Sequence, residues 1–149
     1  NERVPVQSEH QRGVFDPVSA FFIPLPGGDL SGEKACNRSL PIYDGRYRFD
    51  ITLSYIRTER YPSHDNPGSL TTAYVCGMKY QPIAGHKKHR TSDIYEWANR
   101  DGVEVWLMPL HRMDVLLPVR GVFPTPVGKA IFNLTHLEMA GEVRHASAD

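Results

Sequence analysis

The stretch GRYRFDITLSYIR, residues 45–57, limits what this chain can fold into more than any other. Tyr47, Phe49, Ile51, Leu53 and Tyr55 fall on alternate positions, with Arg46, Arg48, Asp50, Thr52 and Ser54 between them. On a helix those apolar side chains would be scattered around the axis, whereas on a strand they line one face. A strand with one apolar and one polar face needs a sheet beside it and a layer over its apolar side.

The rest of the chain supplies such a sheet. In TTAYVCGMKYQPI, Tyr74, Cys76, Met78 and Tyr80 share a face. VEVWLMPL, MDVLLPVRGVF and GKAIFNLTHLEM are short runs rich in β-branched and aromatic residues, which read as strands. NERVPVQ reads as an edge strand with Val4 and Val6 on one side, because Pro5 has no amide proton to donate. IYEWANRDG is ambiguous between a strand and a helical turn. Gly and Pro, 12 each, stand in pairs between the apolar runs, where turns belong. One short helix is expected over Pro17–Phe22, with Asp16 as its N-cap and Pro24 and Pro26 stopping it. PGGDLSGEKACN, RYPSHDNPGSL and AGHKKHRTSD read as loops. The expected fold is mainly β: a curved antiparallel sheet or partial barrel of about six strands with one short helix. It occupies residues 1–140 as a single domain, followed by a frayed polar tail at 141–149.

Charge narrows the function. Lys+Arg and Asp+Glu both number 17. That balance argues against a nucleic-acid footprint or polybasic membrane attachment. No apolar run approaches the ~18 residues of a transmembrane helix. The chain starts at Asn1 without a leader-like segment, and is read as a fragment of a longer protein or as a processed one.

Candidate chemistry is sparse. No nucleophile elbow, zinc-protease motif or phosphate-binding loop occurs, and no cofactor is expected. His86 and His89 have H-x-x-H spacing, with Asp93 as the nearest carboxylate, but a glycine and basic residues surround them. A solvated basic turn is preferred over a metal site there. Cys36 and Cys76 lie too far apart for a C-x-x-C motif. They are one disulfide, two buried thiols or half of a metal site, and the disulfide is preferred. A catalytic Cys36 would need a base such as His10, His64 or His86, and nothing local marks it as a nucleophile. Arg46 and Arg48 read first as cross-strand charge partners and second as a grip on an anionic head group. The aromatic residues, Trp97 and Trp106 among them, read first as core and second as the lining of an apolar concavity.

Several of these stretches, in this order, carry a resemblance. ACNRSLPIYDGRYRFDITLSY, VCGMKYQPIAGHK, VEVWLMPL and LLPVRGVFPTPVGKAIFNLTHLE resemble the alphaproteobacterial branch of the domain-of-unknown-function 3108 family. The opening RVPVQSEHQRGVFDPVSAFFIPL is similar to the same group, so the likeness runs from Arg3 to Glu138. It implies an exported periplasmic protein of a Gram-negative envelope, made with a signal peptide. It also implies that this chain is the C-terminal part of a longer protein, its sheet completed by an N-terminal half or a partner chain. Cys36 and Cys76 match the family's cysteine pair, which implies a periplasmic disulfide. The family has no established activity, so no catalytic residue follows from it. Its β-rich exported character is similar to wrapped-sheet proteins that carry lipids or lipoproteins, a likeness of fold alone.

Two functions are therefore expected. The first is a non-enzymatic envelope protein that binds a lipidic or apolar ligand in its curved sheet, with Arg46, Arg48, Tyr47, Phe49 and Trp106 as ligand contacts. The alternative is an assembly module that uses open sheet edges to engage an envelope protein or a second copy of itself. A metal or hydrolytic enzyme built on His86 and His89 ranks last.

Overall fold

The computed structural model describes residues 3–14, 16, 23–64, 66–86 and 101–134. The expected helix at 17–22, the ambiguous stretch at 94–100, His89, Asp93, Trp97 and the tail at 141–149 lie outside them. The described strands and α-helix are β1 (Ile23–Pro24), α1 (Gly32–Cys36), β2 (Arg38–Tyr43), β3 (Arg48–Pro62), β4 (Leu70–Ala84), β5 (Glu104–Leu110), β6 (Val115–Thr125) and β7 (Gly128–Asn133), with 3-10 turns at Ser8–Gln11 and His111–Met113. They form one antiparallel sheet in the order β1-β6-β5-β4-β3-β2, with β7 also paired to β6. No described helix is long and apolar enough to cross a membrane.

The alternating stretch becomes the first half of β3, a strand that runs on to Pro62 in a long ladder with β4. That ladder has an irregularity between Tyr55 and Arg57, where Ile56 is the extra residue. Because side chains alternate at a period of two, one inserted residue reverses which face each later side chain takes. Tyr55 pairs with Cys76 and Arg57 with Val75. Phe49, Ile51, Leu53 and Tyr55 thus share one face, while Arg57, Glu59 and Tyr61 project from the other. In the β5–β6 ladder a further irregularity, where Trp106 pairs with Arg120 but Leu107 with Pro118, leaves Val119 as the extra residue of β6.

The sheet therefore has two cores on opposite faces. One holds Ile23, Ala35, Cys36, Leu53, Cys76, Leu107 and Leu116, and the other Met108, Leu110, Leu117 and Val119. Neighbours in sequence are split between them, Leu107 from Met108 and Leu116 from Leu117, so β5 and β6 are buried on both faces. The expectation of one wet face holds for the first half of β3 and fails for these two strands. Each fully buried Leu or Met contributes about 1.5–3 kcal/mol.

The first core is covered by α1, in a segment read from sequence as loop. Ser31 caps the helix, its Oγ accepting from the Lys34 amide at 3.2 Å. At five residues α1 shows no 3.6-residue periodicity and could not persist alone. It persists because Ala35 and Cys36 are buried in the core and the Cys36–Cys76 disulfide ties it to β4, with Cα atoms 5.5 Å apart. Gly32 permits the approach, since a Cβ there would fall within the Tyr55 ring. β2 was also missed. Pro41 sits within it, and a proline is tolerated there because β2 is an edge strand.

The expected N-terminal strand reduces to a short backbone bridge. The Val4 amide donates to the His86 carbonyl at 2.8 Å, and the Gly85 amide donates to the Val4 carbonyl at 2.6 Å. Val4 and Val6 are half-buried and Pro5 exposed, so the alternation itself holds.

Candidate functional site

The β2–β3 turn is built by Asp44. Its Oδ1 accepts from the backbone amides of Arg46 at 2.9 Å and Tyr47 at 2.7 Å, a geometry that Asp favours in turns. The Tyr43 hydroxyl donates to the Gly45 carbonyl. This turn presents Tyr47 beside two cations: the Arg46 guanidinium lies 5.4 Å from its ring centroid and that of Arg3 5.7 Å. Arg3 Nη1 also donates to the Gly85 carbonyl at 2.9 Å and, at 3.5 Å, to the Tyr47 hydroxyl. The Tyr47 phenol is held below its ordinary pKa, chiefly by the hydrogen bond from Arg3, with the Arg46 charge adding to it.

The other nominated residues do not join this cluster. Arg48 turns to the N-terminal segment, donating from Nε to the His10 carbonyl at 2.9 Å and from Nη1 to Asp50 at 2.7 Å and to the Phe49 carbonyl. Phe49 packs on Tyr80 with ring centroids 5.2 Å apart. Trp106 lies on β5, on the opposite face of the sheet from Phe49. His86 is half-buried, with a buried Nδ1 that has no hydrogen-bond partner among the described residues. No group of three metal-ligating side chains occurs among the described residues. The disulfide takes Cys36 out of consideration as a nucleophile.

Around Trp106 stands a second constellation that the sequence did not reveal. Arg57 makes a two-pronged ion pair with Glu104, at 2.8 and 3.2 Å, and a third bond to Glu59 at 2.6 Å. The indole N–H of Trp106 donates to Glu104 at 3.1 Å. The indole ring lies 5.7 Å from the Arg57 guanidinium, 5.0 Å from that of Arg120 and 5.8 Å from the Tyr61 ring. The Tyr61 hydroxyl donates to Asn133 Oδ1 at 2.8 Å and, at 3.4 Å, to the Val119 carbonyl of β6. Tyr61 lies on β3, with β4 and β5 between it and β6. Only a sheet rolled toward the Trp106 side brings those groups together, which makes the sheet a half-barrel with this stack on its concave face. The signal was hidden because the Ile56 bulge decides which face Arg57 takes.

This stack is internally paired. Arg57 holds the Glu104 carboxyl below the ordinary carboxylate range, the Trp106 N–H helping and burial opposing. The stability Glu104 contributes is thus fully present above its unfolded pKa and is lost as pH falls through the depressed folded value. Glu104→Gln removes that dependence. Denaturant midpoints measured between about pH 5 and pH 3 should fall less steeply for the variant than for the parent chain. Equal slopes would show that Glu104 carries none of the acid limb.

Fold and site together define a class: a disulfide-stapled antiparallel half-barrel with an arginine–tryptophan stack inside and a basic aromatic turn at one end. The chain belongs to the family described as protein of unknown function DUF3108, whose model matches residues 1–135. No curated protein matches the chain, and no solved structure does.

Proposed function

We propose that this chain is a non-enzymatic component of the cell envelope that works by binding another envelope protein along an open sheet edge. The observation that carries this reading is β7. Among the described residues no strand pairs with its outer edge. Its apolar side chains are open to solvent, Phe132 being 63% exposed and Ile131 47%, beside Val127 at 97% in the hairpin turn. Phe132 is held edge-on to Phe123, with ring centroids 5.8 Å apart. An apolar strand with an unpaired edge is a template for an added strand, with main-chain hydrogen bonds for affinity and alternate side chains for specificity. The buried disulfide supports export to an oxidising compartment. The edge is favoured over an apolar ligand in the concavity because ion pairs and rings fill the concave face at the level of Trp106.

Photocrosslinking in living cells tests the proposal. A photoreactive residue at Ile131 should give one discrete adduct with an envelope protein, whereas the same residue at exposed Thr52 should give none. An adduct of twice the chain's mass would make the partner a second copy and overturn the assignment to another protein. The absence of any adduct from β7 would overturn the edge reading altogether.

A further inference from the structure

We infer that the Tyr47 turn is a binding site for a phosphate-type oxyanion, held by the guanidiniums of Arg3 and Arg46 and by the phenol O–H of Tyr47. This site is separate from the β7 edge and does not depend on it.

The inference starts from which arginines are already neutralised. Arg48 is paired with Asp50, and Arg57 with Glu104 and Glu59. Arg3 and Arg46 have no carboxylate partner among the described residues, yet both guanidiniums are held against one ring. Asp44, the turn's own carboxylate, gives its Oδ1 to two backbone amides, and its charge only partly offsets those of the two arginines at Tyr47. Two like charges gathered near one aromatic ring repel each other, and an anion within reach of both offsets that repulsion.

One of the two guanidiniums is anchored in advance. Arg3 is anchored through Nη1 to the Gly85 carbonyl, which leaves its other N–H groups free to turn outward. The side chain of Arg46 makes no hydrogen bond to the described residues, and stacking on Tyr47 limits where its planar fork can point. The Tyr47 oxygen accepts from Arg3, so its own proton remains available to donate. One residue beyond Gly85, the buried Nδ1 of His86 is a further polar atom without a partner among the described residues. Two guanidinium forks and one hydroxyl suit a tetrahedral group with three terminal oxygens and up to two negative charges better than a planar carboxylate with two oxygens. The lowered phenol pKa accords with this surplus of positive charge.

The same chemistry is offered by free phosphate and by the phosphate of an anionic phospholipid, and two probes separate them. Inorganic phosphate is titrated against the whole chain by following the backbone amide resonances of Arg46, Tyr47 and Gly85. Co-sedimentation is measured with vesicles of phosphatidylglycerol and with vesicles of phosphatidylcholine alone. The expected result is saturable binding that Arg46→Ala and Arg3→Ala each weaken about tenfold, the effect of losing one charge-assisted contact. Tyr47→Phe, which keeps the ring, should weaken it less. Arg60→Ala, which removes the same charge from an exposed arginine bonded to the Leu70 carbonyl, should leave binding unchanged. Phosphate shifts without vesicle binding assign the site to a soluble phosphate. Arginine-dependent binding to phosphatidylglycerol vesicles assigns it to a lipid headgroup. The inference is overturned if neither probe binds, or if Arg60→Ala weakens binding as much as Arg46→Ala does.

Discussion

Replacing Cys36 and Cys76 together by alanine is expected to lower the free energy of unfolding by about 4 kcal/mol. The disulfide closes a loop with a sequence separation of 40, and releasing a loop of that length returns roughly that much chain entropy to the unfolded state. The loss is large against the ~5–15 kcal/mol by which domains of this size are stable. It also falls on the element least able to stand alone. α1 is five residues long, and without its tether nothing covalent keeps Ala35 in the first core. Both sulfurs belong to fully buried residues, so a reductant should act mainly on molecules that have already unfolded. Urea denaturation of the double variant and thiol titration of the denatured, unreduced parent chain check the two halves of this expectation. An unchanged midpoint would remove the disulfide from the stability account, and two free thiols would refute the bond itself.

The second large effect is expected at Gly85. Its φ is +88°, a region that side chains rarely enter, and a Cβ placed there would run into the Arg46 carbonyl. Strain and backbone collision together predict a loss of about 2–4 kcal/mol for Gly85→Ala. The damage should extend to both neighbours of Gly85. Its amide bonds Val4, and its carbonyl receives Arg3. Amide exchange should therefore accelerate at Gly85 and at Val4, whose own amide bonds the His86 carbonyl, as the denaturation midpoint falls. A variant as stable as the parent would mean that the β2–β3 turn can retreat from Gly85 at no cost.

That glycine shows how far the sequence could be read. AGHKKHR is recognisable as a turn after a strand, and Gly85 with its positive φ begins that turn. What brings it against Arg46 is the pairing of Arg48 with Ala84, a contact between segments far apart in sequence. Arg46 was readable, together with Arg48, as a grip on an anionic head group, and Tyr47 only as one of the aromatic residues. The contact of Arg3 with Tyr47 was not legible, because the Val4 bridge is what places Arg3 there. Arg48 was nominated for its charge, but Asp50 and the His10 carbonyl absorb its guanidinium. Trp106 was grouped with Phe49 for its aromatic character alone, and register puts it on the other face.

By itself the sequence determined the strand class of β3 to β7, the turns from β3 to β4 and from β6 to β7, and the presence of two cysteines able to pair. These follow from a period-two pattern, from Gly, Pro and Asp at fixed offsets, and from a count of two, all of which are local quantities. Only the tertiary structure decided the rest. One extra residue at Ile56 reverses every later side chain of β3, and no local pattern announces it, because Arg57, Glu59 and Tyr61 would suit a wet face as well as a paired interior. The roll of the sheet that carries Tyr61 to Val119 and closes the arginine–tryptophan stack is a property of four strands at once. The meeting of Arg3 with Tyr47 is likewise tertiary, since chain segments that distant share no spacing from which their contact could be read.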